Sequence, residues 1–164
     1  MRPIPIAPAP GQESVWDYPR PPRLERSEKH VQVWLGGVQI ADTGSAYRVL
    51  ETSHPPGYYL PHDAFLPGVL SPAAGSSVCE WKGRASYWTL SAGGVTVPKA
   101  AWSYEWPTPE FAPIAGHLAL YAGKVDRVTL DGEEVTPQPG EFYGGWITPD
   151  IVGPFKGIDG SWGW

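Results

Sequence analysis

Apolar and polar residues alternate with a period of two along much of the central chain. In Val31–Leu35 the apolar side chains recur at every second position, and Gly36 and Gly37 then favour a hairpin turn into a second strand at residues 38–40. Only residues 62–65 suit a single helical turn, so the pattern predicts an all-β fold, either an antiparallel sheet or a sandwich. Alternation also predicts strands at residues 46–51, 58–60, 84–91, 95–97, 117–121 and 125–130, with tight turns at 93–94 and 131–132.

Changes in residue usage divide the chain into three parts. Residues 1–30 form a Pro-rich N-terminal arm, residues 31–135 the β domain, and residues 136–164 a Gly/Pro/aromatic C-terminal strap. The arm favours extended polyproline conformation, and it is either flexible or pinned to the domain or to a second subunit. We expect partial ordering, because exposed aromatic side chains suit a mobile tail poorly. The apolar anchors in the arm are Val15, Trp16 and Tyr18.

The C-terminal strap is too short and too rich in Gly and Pro to form a core of its own. Its tryptophans, Trp146, Trp162 and Trp164, carry too much apolar area for a disordered tail. We therefore expect the strap to cover apolar surface on the domain or on a neighbouring subunit. The second arrangement would make the protein a homo-oligomer assembled through its terminal segments.

Composition excludes several classes of partner and site. The 164 residues suffice for one domain with a core, and 17 acidic against 12 basic residues give a net charge of −5, which disfavours nucleic acid as a partner. The single cysteine, Cys79, excludes an internal disulfide and a four-cysteine zinc site, and the four histidines are too dispersed to predict a metal site.

Two further observations bear on the compartment. No apolar run approaches the ~18 residues that a membrane helix needs, so no membrane contact is expected. The first residues carry a charge without an apolar run behind it, which is not typical of a secretory signal. We therefore expect a cytoplasmic protein.

Reactive side chains concentrate at residues 79–83, Cys-Glu-Trp-Lys-Gly. A lone cysteine is most often a small buried hydrophobe, but an ammonium such as that of Lys82 would lower its pKa and favour the nucleophilic thiolate. That chemistry also needs a base, for which His54 and His62 are candidates. Lys82 is either a solvated surface residue or a point charge for an anionic ligand; the segment is not a P-loop.

Two other segments add groups that could face the same site. Glu51 shares one strand face with Val49, where a carboxylate is costly unless paired, and a pair with Lys82 would satisfy both charges. Such a pair is either structural or a ligand-poised acid. Trp102 and Tyr104 alternate along the chain, so they either fill a core or stack on a planar or cationic ligand.

Distinctive motifs lie at residues 48–52, 56–61, 79–88, 101–107, 114–119 and 125–133. Together they resemble those of a bacterial family known as domain of unknown function 427, over about residues 33–134. The resemblance implies an all-β domain of two antiparallel sheets, the β-tent of Mss4-like proteins, without the four-cysteine zinc site of those relatives. The family is also labelled nucleotidyltransferase-like, although this sequence contains no Asp-x-Asp pair of the kind that two-metal transfer uses.

The leading hypothesis is a small-molecule-binding domain with an aromatic-lined pocket. One alternative is an enzyme that uses the same pocket, with catalytic candidates Glu51, Cys79 and Lys82; another is an oligomerisation or interaction module. The residues do not indicate a cofactor or the identity of the ligand. The predicted ligand-binding residues are Glu51, Tyr58, Tyr59, Cys79, Trp81, Lys82, Tyr87, Trp102 and Tyr104.

Overall fold

The alternating segments form strands in the computed structural model, which describes residues 2–140 and 142–164. These residues contain short 3₁₀ helices and no α-helix, and none of the helices is long and apolar enough to cross a membrane. The all-β prediction is therefore confirmed. The strands are β1 (Glu13–Ser14), β2 (Arg23–Ser27), β3 (Val31–Leu35), β4 (Val38–Thr43), β5 (Ala46–Leu50), β6 (Gly57–Tyr59), β7 (Leu70–Cys79), β8 (Gly83–Ala92), β9 (Val95–Ser103), β10 (Leu118–Leu120), β11 (Arg127–Leu130), β12 (Glu133–Glu134), β13 (Thr136–Pro137), β14 (Trp146–Ile147) and β15 (Ile151–Val152). The 3₁₀ helices are η1 (Val15–Asp17), η2 (His62–Ala64), η3 (Pro109–Ile114) and η4 (Ala122–Lys124).

Two four-stranded sheets form the centre of the fold. One has the order β10-β9-β8-β7 and the other the order β12-β11-β3-β4, with antiparallel pairing throughout. A three-stranded antiparallel sheet, β2-β5-β6, lies alongside, and the bridge between Leu60 and Leu118 connects it to β10. Terminal residues add the parallel pair β1-β15 and the antiparallel pair β13-β14.

The main core is built from both four-stranded sheets. In β3, Val31, Val33 and Leu35 are buried while the intervening residues are partly exposed, as the period-two pattern predicts. Side chains of β8, β10 and β11 meet them, and the strap inserts Trp146 into the same cluster. Each of these fully buried aliphatic side chains contributes about 1.5–3 kcal/mol of transfer free energy.

The sheet β10-β9-β8-β7 also has a second apolar face. Ala85, Tyr104 and Ala119 lie on this side, where they pack with Val49 and Tyr59 from the three-stranded sheet. The two faces of this sheet thus contribute side chains to two different hydrophobic clusters, since neighbouring residues along a strand point in opposite directions. The candidate site lies against this second face.

Several strands were not predicted from the sequence. β7 is a ten-residue edge strand whose small and polar side chains are mostly exposed, so its sequence, Leu-Ser-Pro-Ala-Ala-Gly-Ser-Ser-Val-Cys, lacks an apolar alternation. β2 lies within the Pro-rich arm and pairs along its whole length with β5. Strap residues contribute β13, β14 and β15, of two residues each. β15 pairs with β1 near the opposite end of the chain, which a local pattern does not reveal.

The two terminal segments pack against each other and against β5, an arrangement that we call the terminal clasp (residues 13–18 and 150–155). Val15, Trp16 and Tyr18 form a buried cluster with Leu50 and Ile151. The Trp16 indole Nε1–H donates to the backbone oxygen of Pro154 at 2.9 Å. The predicted anchors of the arm therefore contact this same chain. The homo-oligomer stays a prediction.

A charged network ties the clasp to β5. The Arg48 guanidinium donates two hydrogen bonds to the Glu13 carboxylate, at 2.9 and 2.8 Å, and a third to Glu25 at 2.6 Å. The Tyr18 hydroxyl also donates to Glu13, at 2.6 Å. These hydrogen bonds, chiefly those from Arg48, hold the pKa of Glu13 below its ordinary value of 4.5.

Acid should loosen the clasp through this carboxylate. Because the folded pKa of Glu13 is lowered, its contribution to stability is present above about pH 4.5 and is lost as pH falls through the folded pKa. We expect the free energy of unfolding to drop by about 1 kcal/mol from this group between pH 6 and pH 3, a figure reduced for its partial exposure. Urea unfolding at both pH values measures the drop. Glu13→Gln should diminish it, whereas Glu110→Gln, at an exposed position in η3, should not.

Candidate functional site

A cavity of about 420 Å³ opens against the second face of the sheet β10-β9-β8-β7. Three parts of the chain surround it: the end of β5 with the following loop and β6, the β7–β8 hairpin with β9, and the strap. The wall combines aromatic rings with a small number of polar groups. The cavity is lined by Val49, Glu51, His54, Pro55, Gly57, Tyr59, Ser77, Val78, Cys79, Glu80, Trp81, Lys82, Ala85, Tyr87, Trp102, Tyr104, Tyr121, Gln138, Phe142, Tyr143, Gly144, Gly145 and Lys156.

Eight of the nine residues predicted to bind a ligand line this cavity; Tyr58 does not. Adjacent residues of a strand face opposite sides, so Tyr59 lines the cavity while Tyr58 is buried in the main core. There the ring of Tyr58 stacks on Trp146, with ring centroids 5.1 Å apart. The ligand-binding role of the other eight remains a prediction.

The β7–β8 hairpin carries the reactive segment into the cavity wall. Cys79 pairs with Gly83 at its end, and residues 80–82 form the turn. Thr108 makes two hydrogen bonds to this turn. Its hydroxyl donates to the backbone oxygen of Trp81 at 2.6 Å, and its backbone N–H donates to the backbone oxygen of Lys82 at 3.0 Å. The position of the hairpin tip is thus fixed by the loop after β9, which favours a preorganised wall.

Two buried phenols form the inner wall beside Lys82. Tyr59 and Tyr104 are 3% and 5% exposed, with ring centroids 6.2 Å apart. Burial raises the pKa of both hydroxyls well above the ordinary value, so both stay protonated at neutral pH. The Lys82 Nζ lies 5.8 Å from the centre of the Tyr104 ring. The wall therefore offers neutral hydroxyls next to a cation.

His54 has a defined tautomer. The Gln138 side-chain oxygen accepts from the Gly145 N–H at 3.0 Å, and its Nε2 donates to the backbone oxygen of Lys156 at 2.8 Å. The same Nε2 lies 3.2 Å from Nδ1 of His54, so this ring nitrogen is an acceptor. A neutral imidazole with an acceptor at Nδ1 carries its proton on Nε2, which faces Glu51 at 3.8 Å.

His54 is also a weak base. Burial, followed by the positive charges of Lys156, Arg20 and Lys82, lowers the pKa of His54 to about 3. The ring is therefore neutral at physiological pH, with Nδ1 occupied by Gln138. His62, the other candidate base, lies outside the cavity lining, with its ring 5.7 Å from that of Trp88.

Glu51 has a different partner from the predicted one. Its carboxylate pairs with Arg20 of the arm at 3.3 Å rather than with Lys82. Arg20 also donates to the backbone oxygen of Thr52 at 2.9 Å. The sequence could not predict this pair, because Arg20 lies in the arm and reaches the end of β5 only through the terminal clasp. Among the described residues, Lys82 has no carboxylate within 4.0 Å.

The strap packs against two other parts of the cavity wall, β9 and the loop after β5. Gly144 passes so close to Trp102 that a Cβ atom at this position would lie 2.2 Å from the indole ring. Tyr143 contacts the edge of His54, with ring centroids 5.0 Å apart. Two hydrogen bonds hold the backbone of Lys156. Its N–H donates to the backbone oxygen of Ser53 at 2.8 Å, and its oxygen accepts from the Gln138 side chain. The strap is therefore part of the cavity wall.

One protein-family profile matches residues 23–131: the domain of unknown function DUF427, which carries the label NTP_transf_9. The chain belongs to this family. The resemblance inferred from the motifs is thereby confirmed, and the matched range includes β2. Among curated proteins, none matches the chain.

The boundary of the DUF427 segment divides the cavity wall. Within the segment lie the β5–β6 region, the β7–β8 hairpin and Trp102, whereas the strap residues lie beyond it. Sequence reasoning missed the contribution of the strap to the site. The available signal was the cluster of aromatic residues and glycines at residues 142–146, whose sequence is Phe-Tyr-Gly-Gly-Trp. The missed strap residues are Gln138, Phe142, Tyr143 and Lys156.

The thiol of the DUF427 segment is half-buried in the cavity wall. Cys79 packs against the cluster that contains Val49, Tyr59 and Ala85. Within residues 2–140 and 142–164, no group of three or more His, Cys, Asp or Glu side chains is arranged to hold a metal ion. The polar side chains of the wall are two lysines, two carboxylates, a neutral imidazole, an amide, a serine hydroxyl, a thiol and phenolic hydroxyls.

Proposed function

We propose that this DUF427 protein is a small-molecule-binding domain and that the cavity is its ligand site. The supporting observation is the combination of one 420 Å³ cavity with aromatic walls and a few fixed polar groups. Sites for small molecules in proteins are typically about 300–1,000 Å³ in volume, mostly apolar, and oriented by a small number of polar contacts. The cavity suits a ligand of one or two fused rings with a polar substituent.

The arrangement of the rings favours a planar ligand. Trp102 and Tyr121 lie in the cavity wall with ring centroids 4.6 Å apart, and Trp81 at the hairpin tip belongs to the same wall. Aromatic side chains bind flat molecules by offset stacking or edge-to-face contact, each worth about 0.5–1.5 kcal/mol beyond the buried area. Several such rings on one wall would select for flat ligands over flexible aliphatic ones.

Planar probes test this proposal. We expect 2-naphthamide or 2-naphthoate to bind with a dissociation constant of about 1 mM or below, because about 13 heavy atoms at about 0.3 kcal/mol each give about 4 kcal/mol. Trp81→Ala should weaken the binding about tenfold through the lost stacking. The shifts of the indole N–H signals of the nine tryptophans in an NMR titration measure both effects.

Trp106→Ala is the matched control, since Trp106 belongs to the loop beside the hairpin but is 91% exposed and does not line the cavity. This variant should bind the probes like the unmodified protein. Failure of both probes to bind, or an equal loss in the two variants, would contradict the proposal.

An enzyme using the same cavity is the second candidate, supported by the presence of Cys79 and Lys82 in its wall. His54 gives this candidate little support as a base, because its pKa is about 3. The family label names nucleotidyl transfer, so ATP is the substrate to test. Loss of turnover in Cys79→Ser or Lys82→Ala with retained ATP binding would favour the enzyme, whereas binding without turnover favours the binding domain.

A further inference from the structure

The ionisable groups of the cavity are distributed unevenly. Lys82 comes from the hairpin of the DUF427 segment and Lys156 from the strap, and both line the cavity. Of its two carboxylates, Glu51 is paired with Arg20. The other, Glu80, lies in the turn at the hairpin tip. Both lysines act on the charge of His54, so both lie at the end of the cavity that contains this residue.

Each lysine keeps donors for a ligand. Lys156 Nζ donates one hydrogen bond to the backbone oxygen of Trp164 at 3.2 Å, and an ammonium has three donors in all. Lys82 Nζ lies over the Tyr104 ring, and no carboxylate of residues 2–140 and 142–164 is within ion-pairing distance of it. Both ammonium groups can thus turn toward a group placed beside His54.

We propose that the cavity takes a planar ligand with an anionic group, a carboxylate or a phosphate, and that Lys82 and Lys156 hold this group. The inference rests on the proposed function and specifies the class of ligand. It also assigns the strap a role in recognition, because one of the two cations lies outside the DUF427 segment.

The state of His54 supports the proposal. This side chain lies 3.8 Å from the Glu51 carboxylate, a distance at which a carboxylate favours the charged imidazolium. Burial above all, and then the cations Lys156, Arg20 and Lys82, nevertheless keep the ring neutral, so both cavity lysines act at this end of the cavity. An anion placed there would be attracted by the lysines, while the charge of Glu51 is balanced by Arg20.

The test compares probes that share one ring system and differ in charge. In calorimetric titrations, 2-naphthoate and 2-naphthyl phosphate should each bind about tenfold more tightly than neutral 2-naphthamide, since hydrogen bonds to a charged group contribute about 1.5–3 kcal/mol. Added salt should reduce this preference. The stronger binder of the two anions identifies the source of the charge as a carboxylate or a phosphate.

Charge variants connect the preference to the two lysines. Lys82→Met and Lys156→Met keep an apolar side chain of similar length, and each should weaken binding of the preferred anion about fivefold to tenfold while leaving 2-naphthamide unaffected. Lys82→Arg retains the charge and should retain most of the affinity. Lys124→Met, at a position outside the cavity lining, is the matched control and should bind all three probes normally.

The two proposals fail in different ways. Equal affinity for amide and anions, with the dependence on Trp81 intact, would overturn the anionic class and leave the binding function standing. Retained anion preference in Lys82→Met and Lys156→Met alike would also overturn the assignment of the two lysines. If none of the three probes bound, both proposals would be contradicted.

Discussion

Replacing Trp146 with alanine should lower the free energy of unfolding by about 4 kcal/mol, the range typical of a large aromatic side chain removed from a core. Trp146 is 1% exposed and stacks on Tyr58. Its indole Nε1–H donates to the backbone oxygen of Leu120 at 3.2 Å. Alanine removes the apolar contacts, opens a cavity between the two sheets and leaves that oxygen without its donor.

The same substitution should impair the candidate site. The backbone N–H of Trp146 donates to Pro56 at 2.9 Å, so this residue attaches the strap to the loop that carries His54. The preceding residues, 142–145, form the strap side of the cavity. Once the indole anchor is lost, the contacts of Tyr143 with His54 and of Gly145 with Gln138 are no longer supported from the core, and binding of the naphthalene probes should decrease with stability.

Urea unfolding followed by circular dichroism measures the loss in Trp146→Ala. Trp162→Ala is the matched control, because Trp162 belongs to the same strap and is 80% exposed. The control should change the stability by no more than about 0.5 kcal/mol. A loss below about 1 kcal/mol in Trp146→Ala would show that the strap does not contribute to the core.

Local alternation predicted the strands that have one face in the main core. Val31–Leu35 follow the period of two because one side of this strand is buried, whereas Leu118–Leu120 are buried on both sides, against the two clusters. The sequence of β7 has no such contrast, since an exposed edge strand of small residues is stabilised by its backbone pairing to β8. That pairing depends on the partner strand, so the local pattern could not predict it.

The candidate site likewise combines residues that the sequence pattern indicated with residues that it did not. The hairpin segment with Trp81 and Lys82 was identified from the concentration of chemically distinct side chains, and the structure places it in the cavity wall. The contact between His54 and Gln138 joins residues 84 positions apart and depends on the path of the strap. His54 was a candidate base from its residue type, but no local pattern indicates Gln138 as its partner. Arg20 as partner of Glu51 has the same explanation.

Replacing Gly93 with alanine should cost about 3 kcal/mol of stability. Gly93 has a φ of +57°, and a Cβ atom there would lie 2.0 Å from the backbone oxygen of Gly36. The two residues belong to the turns of the β8–β9 and β3–β4 hairpins, which come from different sheets. An added methyl group would strain the left-handed conformation by about 1–2 kcal/mol and would also push the two turns apart.

Gly94→Ala separates these two effects. Gly94 lies in the same turn with a φ of +79°, but its Cβ position has no atom within 4 Å. This variant should therefore lose only the conformational part, about 1 kcal/mol, in the same urea experiment. The same difference is expected between Gly36→Ala and Gly37→Ala in the β3–β4 turn. A Cβ atom at Gly36 would lie 2.2 Å from the backbone oxygen of Ala92, whereas one at Gly37 would have no atom within 4 Å. Equal losses within each pair would mean that the turns separate easily. Larger losses at Gly93 and Gly36 would mean that this contact fixes the spacing of the two sheets around the main core.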